Sequence, residues 1–360
     1  MFLLFVNGYY GYKERELMKK KIAVLFGGQS TEHEVSRVSA TSVLRNIDQT
    51  KYDIYPIGIT KDGLWLEYAG KLENIENGEW EKDEYFKTAE GQQLLFNKEV
   101  DVVFPVLHGL LGEDGTIQGM CKLSNIPCVG PGVMSSAICM DKIYTKFLLE
   151  NFNVKQADYV VINACEYIKN KDVLIENIEK KLGYDVFIKP SNGGSSVGIT
   201  KAHDKCELIL GIEEALKYDR KILVEQAINA REIEVAILGN DCPLASIPGE
   251  IVPAKEFYDY EAKYKSESSK LLIPAALPAV KLEKIKEEAI RIYKILDCAG
   301  MARVDFLVDK ETEEVYLNEV NTIPGFTKIS MYPKMWQATG ITYVELIDKL
   351  IELAIERNNK

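Results

Sequence analysis

The stretch Met301-Ala302-Arg303-Val304-Asp305-Phe306-Leu307-Val308-Asp309-Lys310-Glu311-Thr312-Glu313-Glu314-Val315-Tyr316-Leu317-Asn318-Glu319-Val320-Asn321-Thr322-Ile323-Pro324-Gly325 decides how the chain is read. Apolar residues flank a polar turn, 309–314, which is the pattern of a hairpin with strands over 301–308 and 315–320. Centring the turn on Thr312 sets Asp305 opposite Glu319 and Arg303 opposite Asn321. All four then share one face, while Val304, Phe306 and Val320 turn to the core. Two carboxylates opposed at about 5 Å repel each other, so this pairing calls for a cation between them. Oxygen ligands from Asp, Glu and Asn select a hard ion, and Mg²⁺ suits a site whose shell is completed by phosphates. A solvated hairpin face is the other reading, and spacing alone weighs the two evenly. Beyond the second strand, Pro324-Gly325 either forms a plain turn or lets a backbone N–H approach a reacting oxygen as an oxyanion donor, with Arg303 as a second positive contact.

Working outward, Lys189 ends a strand and precedes Pro190-Ser191-Asn192-Gly193-Gly194-Ser195-Ser196, a loop rich in N–H and hydroxyl groups that could wrap phosphate oxygens. It lacks the G-x-x-x-x-G-K order of a P-loop, and an ordinary surface hairpin accounts for it equally well. Lys142, after Met140-Asp141, is a second candidate phosphate cation or a solvated charge. Glu225-Gln226-Ala227-Ile228, at a strand end, offers backbone groups to an adenine edge.

The 360 residues suggest two or three units. The first, 18–131, opens with a strand over 21–26, Gly27-Gly28 and a helix over 35–44, and continues with a strand over 101–107 that runs into His108-Gly109 and Gly112 to Gly115. Short apolar runs ending in glycine loops suit parallel strands whose carboxyl ends face a site. The second, 132–224, reads as helix 140–150, strand 159–162, helix 173–182 stopping at Gly183, and strands 186–189 and 197–201. The third, 225–360, adds strands 222–225 and 233–238 at its border, helix 282–296, the hairpin, and helix 343–355. Residues 1–17, before Met18, read as a frayed or mis-assigned extension and are given no function.

The net charge of -11 argues against a broad nucleic-acid surface and against an anionic membrane partner. No run of residues is long enough to cross a membrane. Seven cysteines, an odd number without a C-x-x-C pair, indicate neither a disulfide framework nor a zinc site, and suit a reducing cytoplasm.

Taken in order, several motifs resemble the ATP-grasp superfamily, and more closely the D-alanine:D-alanine ligases, from about Lys20 to Asn359. They are Val24-Leu25-Phe26-Gly27-Gly28-x-Ser30-x-Glu32-x-Glu34-Val35-Ser36, Leu107-His108-Gly109 with Gly112-Glu113-Asp114-Gly115, and Met140-Asp141-Lys142. Lys189-Pro190 with Gly194-Ser195-Ser196-Val197-Gly198, Phe257-Tyr258-Asp259-Tyr260-Glu261-Ala262-Lys263-Tyr264, and the hairpin with Asn318 to Phe326 complete the set. The resemblance implies a three-lobed fold, α/β and α+β, with an open parallel α/β lobe at its N-terminal end.

It also implies ATP and two Mg²⁺ or Mn²⁺ ions, held by Asp305, Glu319 and Asn321, with room for a monovalent cation. Lys142, Lys189, the loop with Ser195 and Ser196, and Lys263 would grip the phosphates. Phe257 and the 225–228 backbone, including Glu225, Gln226 and Ile228, would hold adenine, and Glu232 the ribose. Gln226 stands where many relatives have Lys. The implied reaction joins two D-alanines through a D-alanyl phosphate, for peptidoglycan precursors, with Arg303 and the Gly325 N–H on the tetrahedral oxyanion. Glu32 matches the residue that binds the first ammonium, with Ser195 and Tyr264 its partners in closing a lid. Val35 and His108 match positions near the first substrate, and Ser330 and Met331 the pocket for the second. Relatives using D-lactate or D-serine typically carry Arg at the position of Met331, and D-lactate enzymes lack the tyrosine, so Met331 and Tyr264 favour D-alanine. A cytoplasmic homodimer is implied as well.

Overall fold

The computed structural model describes residues 19–82, 95, 97, 99–252 and 270–359. Residues 1–17 lie outside them, and so do Phe257, Lys263 and Tyr264.

Three sheets organise the described residues. The first is built on β1 (Lys20–Gly27), whose interior residues from Ile22 to Phe26 are fully buried. It pairs in parallel with β2 (Tyr52–Ile59) and β4 (Val102–Pro105), and β3 (Trp65–Glu67) runs antiparallel at the edge. This is the open parallel lobe, with two strands, β2 and the edge strand β3, that the sequence pattern did not reveal. Helix α1 (His33–Asn46) follows the Gly27-Gly28 turn, so its N-terminal end lies at the carboxyl end of β1.

The second sheet, in the order β5 (Tyr159–Asn163), β8 (Lys221–Gln226), β6 (Val186–Pro190), β7 (Thr200–Ala202), is antiparallel and packs on helices 164–182 and 205–215. The strand expected over 197–201 begins only at Thr200. Ser195 and Ser196 take left-handed backbone, φ +52° and +61°, and the chain makes tight turns from Gly194 to Val197 and from Ser196 to Ile199 before it can extend. The helix expected over 140–150 is two helices, Val133–Met140 and Lys142–Glu150, broken at Asp141. The Asp141 carboxylate accepts the N–H groups of Ile143 and Tyr144, the N-cap arrangement that starts a new helix.

The third sheet runs β12 (Lys270–Leu272), β11 (Gly249–Val252), β9 (Ala230–Gly239), β13 (Gly300–Asp309), β14 (Val315–Asn321), with β10 (Leu244–Ala245) paired to β9. Arg303 pairs with Asn321 and Asp305 with Glu319, as the alternation indicates. Nearer the turn the register differs by one: Phe306 pairs with Leu317, leaving Asn318 as a bulge. The Asp309 carboxylate accepts the N–H groups of Glu311 and Thr312, and Asp309 N–H donates to Glu314 O. The turn therefore closes as an even six-residue loop rather than centring on Thr312. The bulge restores the pairing at the far end.

Val304, Phe306 and Val320 are buried against helix Ala279–Ile295 in one core cluster. Each apolar side chain so buried contributes about 1.5–3 kcal/mol. The last helix, Tyr343–Asn358, packs Leu346, Ile347 and Leu350 into the core shared with β1 and β4, and Arg357 donates to the carbonyls of Gly130 and Cys128. The end of the chain thus fastens the third sheet to the first.

Candidate active site

One cleft opens between the three sheets, floored by β9, β13 and β14 and walled by Glu32, His108, Lys142 and the 193–196 loop. The floor carries a row of three carboxylates across three strands, because Asp305 pairs with Glu234 on one side and Glu319 on the other. Glu234 is a residue the sequence reading missed; its alternation with Ile233 and Val235 could have placed it on the polar face. Arg303 lies beside this row, two residues before Asp305 on the same face of β13. Its Nε and Nη2 donate to the two Asp305 oxygens at 2.7 and 2.6 Å, a bidentate fork, and Nε sits 3.2 Å from Glu234. Burial alone would lower its pKa, but the Asp305 and Glu234 charges outweigh that and keep it fully cationic.

The Asn321 amide nitrogen donates to Asp305 Oδ2 at 2.9 Å. As a metal ligand Asn321 would present its oxygen instead. Asp305, Glu319 and the Asn321 oxygen form a hard-donor set on one face and fit a divalent ion. Among the described residues no group of three or more His, Cys, Asp or Glu side chains is arranged to hold a metal. Phosphate oxygens would complete the shell of an ion held by Asp305, Glu319 and Asn321.

The turn after β14 is clamped from the first lobe. Glu113 Oε1 accepts the Ile323 N–H and Oε2 accepts the Gly109 N–H, both at 2.9 Å. His108 Nδ1 lies 3.1 Å from the Ile323 carbonyl and Nε2 lies 3.0 Å from Ser39 Oγ, which also accepts the Phe326 N–H. His108 thus lines the cleft and is satisfied at both nitrogens; burial lowers its pKa, so it acts as a neutral donor to Ile323. Burial and the nearby Glu32 charge raise Glu113 to about 8. Within the turn, Gly325 faces Ser330, where a Cβ would come to 2.8 Å of the hydroxyl, and that hydroxyl accepts the Thr327 N–H.

Glu32 is buried at the entrance to α1 and accepts the Ser195 hydroxyl. Lys142 Nζ donates to Gly193 O at 2.7 Å, tethering the same loop. Ser196 and Glu232 line the cleft, as do Ser330 and Met331 at its far end. Val35, by contrast, is buried in α1 and is not among the lining residues.

Lys189 and Glu225 meet at 2.5 Å, with Lys146 2.5 Å from the other Glu225 oxygen. The Glu225 carboxylate sits between two ammonium groups, so any adenine contact of this stretch falls to its backbone. In the same stretch the N–H groups of Gln226 and Ala227 donate to the carbonyls of Asp158 and Asp185, while Ile228 is half-buried.

Residues 21–131 match the family model described as D-ala D-ala ligase N-terminus, and 148–352 the one described as D-ala D-ala ligase C-terminus. A D-alanine–D-alanine ligase of Clostridium novyi is 75% identical over 343 residues, spanning 95% of this chain and 100% of the relative. One of Clostridium acetobutylicum is 72% identical over 342 residues, with the same coverage. Among solved structures, the VanG D-Ala:D-Ser ligase of Enterococcus faecalis superposes with a TM-score of 0.83 at 41% identity, covering 94% of this chain and 100% of that one. The D-alanine-D-alanine ligase of Coxiella burnetii gives 0.81 at 36% identity, covering 95% of both chains. With both of its halves matched and its cleft built from the same lobes, the chain belongs to the D-alanine–D-alanine ligase family and carries the ATP-grasp fold.

Proposed function

We propose that the chain joins two D-alanines in an ATP-dependent reaction, through a D-alanyl phosphate, releasing ADP and phosphate. The observation that carries this reading is the floor of the cleft, where Arg303, Asp305, Glu319 and Asn321 share one face beneath Glu32, Ser195 and Lys142.

Glu32 holds the ammonium of the first D-alanine and Ser195 closes over it. Lys142, Lys189 and the backbone around Ser196 bind the triphosphate and orient the γ-phosphate toward the substrate carboxylate, with Glu232 on the ribose and the 225–228 segment near adenine. Phe257, Lys263 and Tyr264 belong to the same reading as adenine contact, phosphate cation and lid partner. Divalent ions held by Asp305, Glu319 and Asn321 neutralise phosphate charge when bound, and a monovalent cation is compatible with the cleft. Attack by the amine of the second D-alanine on the acyl phosphate places negative charge on the former carbonyl oxygen, where Arg303 and the Gly325 N–H stabilise it. Ser330 and Met331 border the second substrate. Met331 is 4% exposed and packs beside Gly249, so the acceptor pocket presents an apolar wall that suits a methyl side chain.

The reading divides the chain into working units 18–131, 132–224 and 225–360, with β8 running on to Gln226. Among the described residues no helix is long and apolar enough to cross a membrane. Family resemblance supports a cytoplasmic homodimer, which sedimentation of the purified chain tests. The chemistry is tested by a coupled assay of phosphate release with ATP, Mg²⁺ and either D-alanine or D-serine. Faster release with D-serine overturns the choice of acceptor, and no release with either overturns the reaction.

A further inference from the structure

Lys146 lies one helical turn after Lys142, so both lysines project from the same face of helix Lys142–Glu150 toward the second sheet. It is 4% exposed, a depth at which lysine is almost never found without a partner. Its ammonium lies 2.5 Å from Glu225 Oε1, 3.5 Å from the Ala157 carbonyl and 5.1 Å from the centre of the Tyr159 ring. Glu225, also 4% exposed, gives its other oxygen to Lys189 at 2.5 Å. Burial would push Glu225 up, but the charges of Lys189 and Lys146 outweigh it and hold the carboxyl down near 2. A small cavity bordered by the triad is lined also by Lys142 and Glu319, so the triad faces a second phosphate lysine and one carboxylate of the hairpin.

The stoichiometry matters. With one lysine, Glu225 would form a neutral buried pair, and Lys189 could reach a phosphate only by leaving a carboxylate charged and unpartnered in a dry site. With two, Glu225 keeps a partner throughout, and the triad carries one net positive charge toward the cleft. We infer that Lys146 is a positioning residue for the nucleotide phosphates: by holding Glu225 it leaves Lys189 able to exchange a carboxylate for a phosphate. This rests on the ATP reading given above.

The test compares the intact chain with Lys146→Met, Lys146→Arg, Glu225→Gln and the double variant Lys146→Met/Glu225→Gln, measuring the Kd for ATP with Mg²⁺, the KM values for ATP and D-alanine, and Tm. Lys146→Met is expected to weaken ATP at least tenfold while the KM for D-alanine stays within twofold, and Lys146→Arg to restore ATP binding to within about threefold of the intact chain. Once Glu225 has lost its charge Lys146 has no carboxylate to hold, so adding Lys146→Met to Glu225→Gln is expected to change the ATP Kd by less than twofold. Lys146→Met binding ATP as the intact chain does, or a further tenfold loss in the double variant, overturns the inference. The comparison of double with single variant decides the matter even if Lys146→Met does not fold. An intact chain that binds no ATP overturns the ATP reading instead.

Discussion

The Ser195 hydroxyl donates to the Glu32 carboxylate, joining residues 163 positions apart and bringing the glycine-serine loop of one lobe onto the first helix of another. A hydrogen bond to a charged group is worth about 1.5–3 kcal/mol. Removing it in Ser195→Ala leaves both elements folded but no longer registered over the first substrate. The KM for D-alanine should rise about tenfold or more while Tm falls by only a few degrees, as steady-state kinetics and thermal melting will show.

The carboxylates of the hairpin make a sharper demand. Asp305→Asn removes a charge that receives both Arg303 and Asn321, and Glu319→Gln removes the charge of its cross-strand partner. Each should reduce D-alanine-dependent phosphate release by at least about a hundredfold, since metal-assisted charge stabilisation is worth several kcal/mol. Unchanged release over a Mg²⁺ titration would remove the metal assignment.

Glu113 gives a pH dependence with a definite sign. Its pKa is raised from 4.5 to about 8 by burial first and the Glu32 charge second. The folded chain therefore holds this proton over a window in which the unfolded chain has lost it. The stabilisation is fully present below about pH 4.5 and is lost progressively as pH rises toward 8. Tm measured from pH 5 to 8 should fall with this contribution, and the slope should flatten in Glu113→Gln. That variant should also lose about 1–3 kcal/mol, because an amide nitrogen cannot accept one of the two N–H groups that Glu113 receives.

Gly249 probes the acceptor end. A Cβ there would clash with Met331 Cε and lie 3.3 Å from Met335 Sδ, so Gly249→Ala must displace Met331. The Met331 methyl is the free end of a flexible side chain and can turn aside at little cost to stability, so the effect falls on the pocket it borders. Phosphate release should show a raised KM for the second D-alanine of at least about fivefold, while the Kd for ATP remains unchanged.

The hairpin shows how far residue order carries the argument. Period-two alternation assigns faces without reference to the rest of the chain, so Val304, Phe306 and Val320 inward and Arg303, Asp305, Glu319 and Asn321 outward could be read directly. The bulge at Asn318 could not, because it follows from how Asp309 closes the turn with its own carboxylate. The break at Asp141 was hidden for a related reason: Met140 and Lys142 both suit a helix, and a capping hydrogen bond set the boundary.

Local pattern therefore established nine of the strands, though not β2, β3 or β10 to β12, together with the faces of the hairpin, the glycine turns, and, through ordered motifs, the family. Packing between lobes established the rest. Glu113 and Ser39 clamp the Ile323 turn from positions 210 and 287 residues away from their partners, Glu234 lies beside Arg303 only because β9 and β13 pair, and Glu225 sits between Lys146 and Lys189 only because a helix covers the second sheet. Residue types and spacings state which groups can hydrogen-bond or carry charge. Which of them meet is set by burial of the four apolar cores among the described residues, a collective term in which no short segment carries enough of the contacts to reveal its partner.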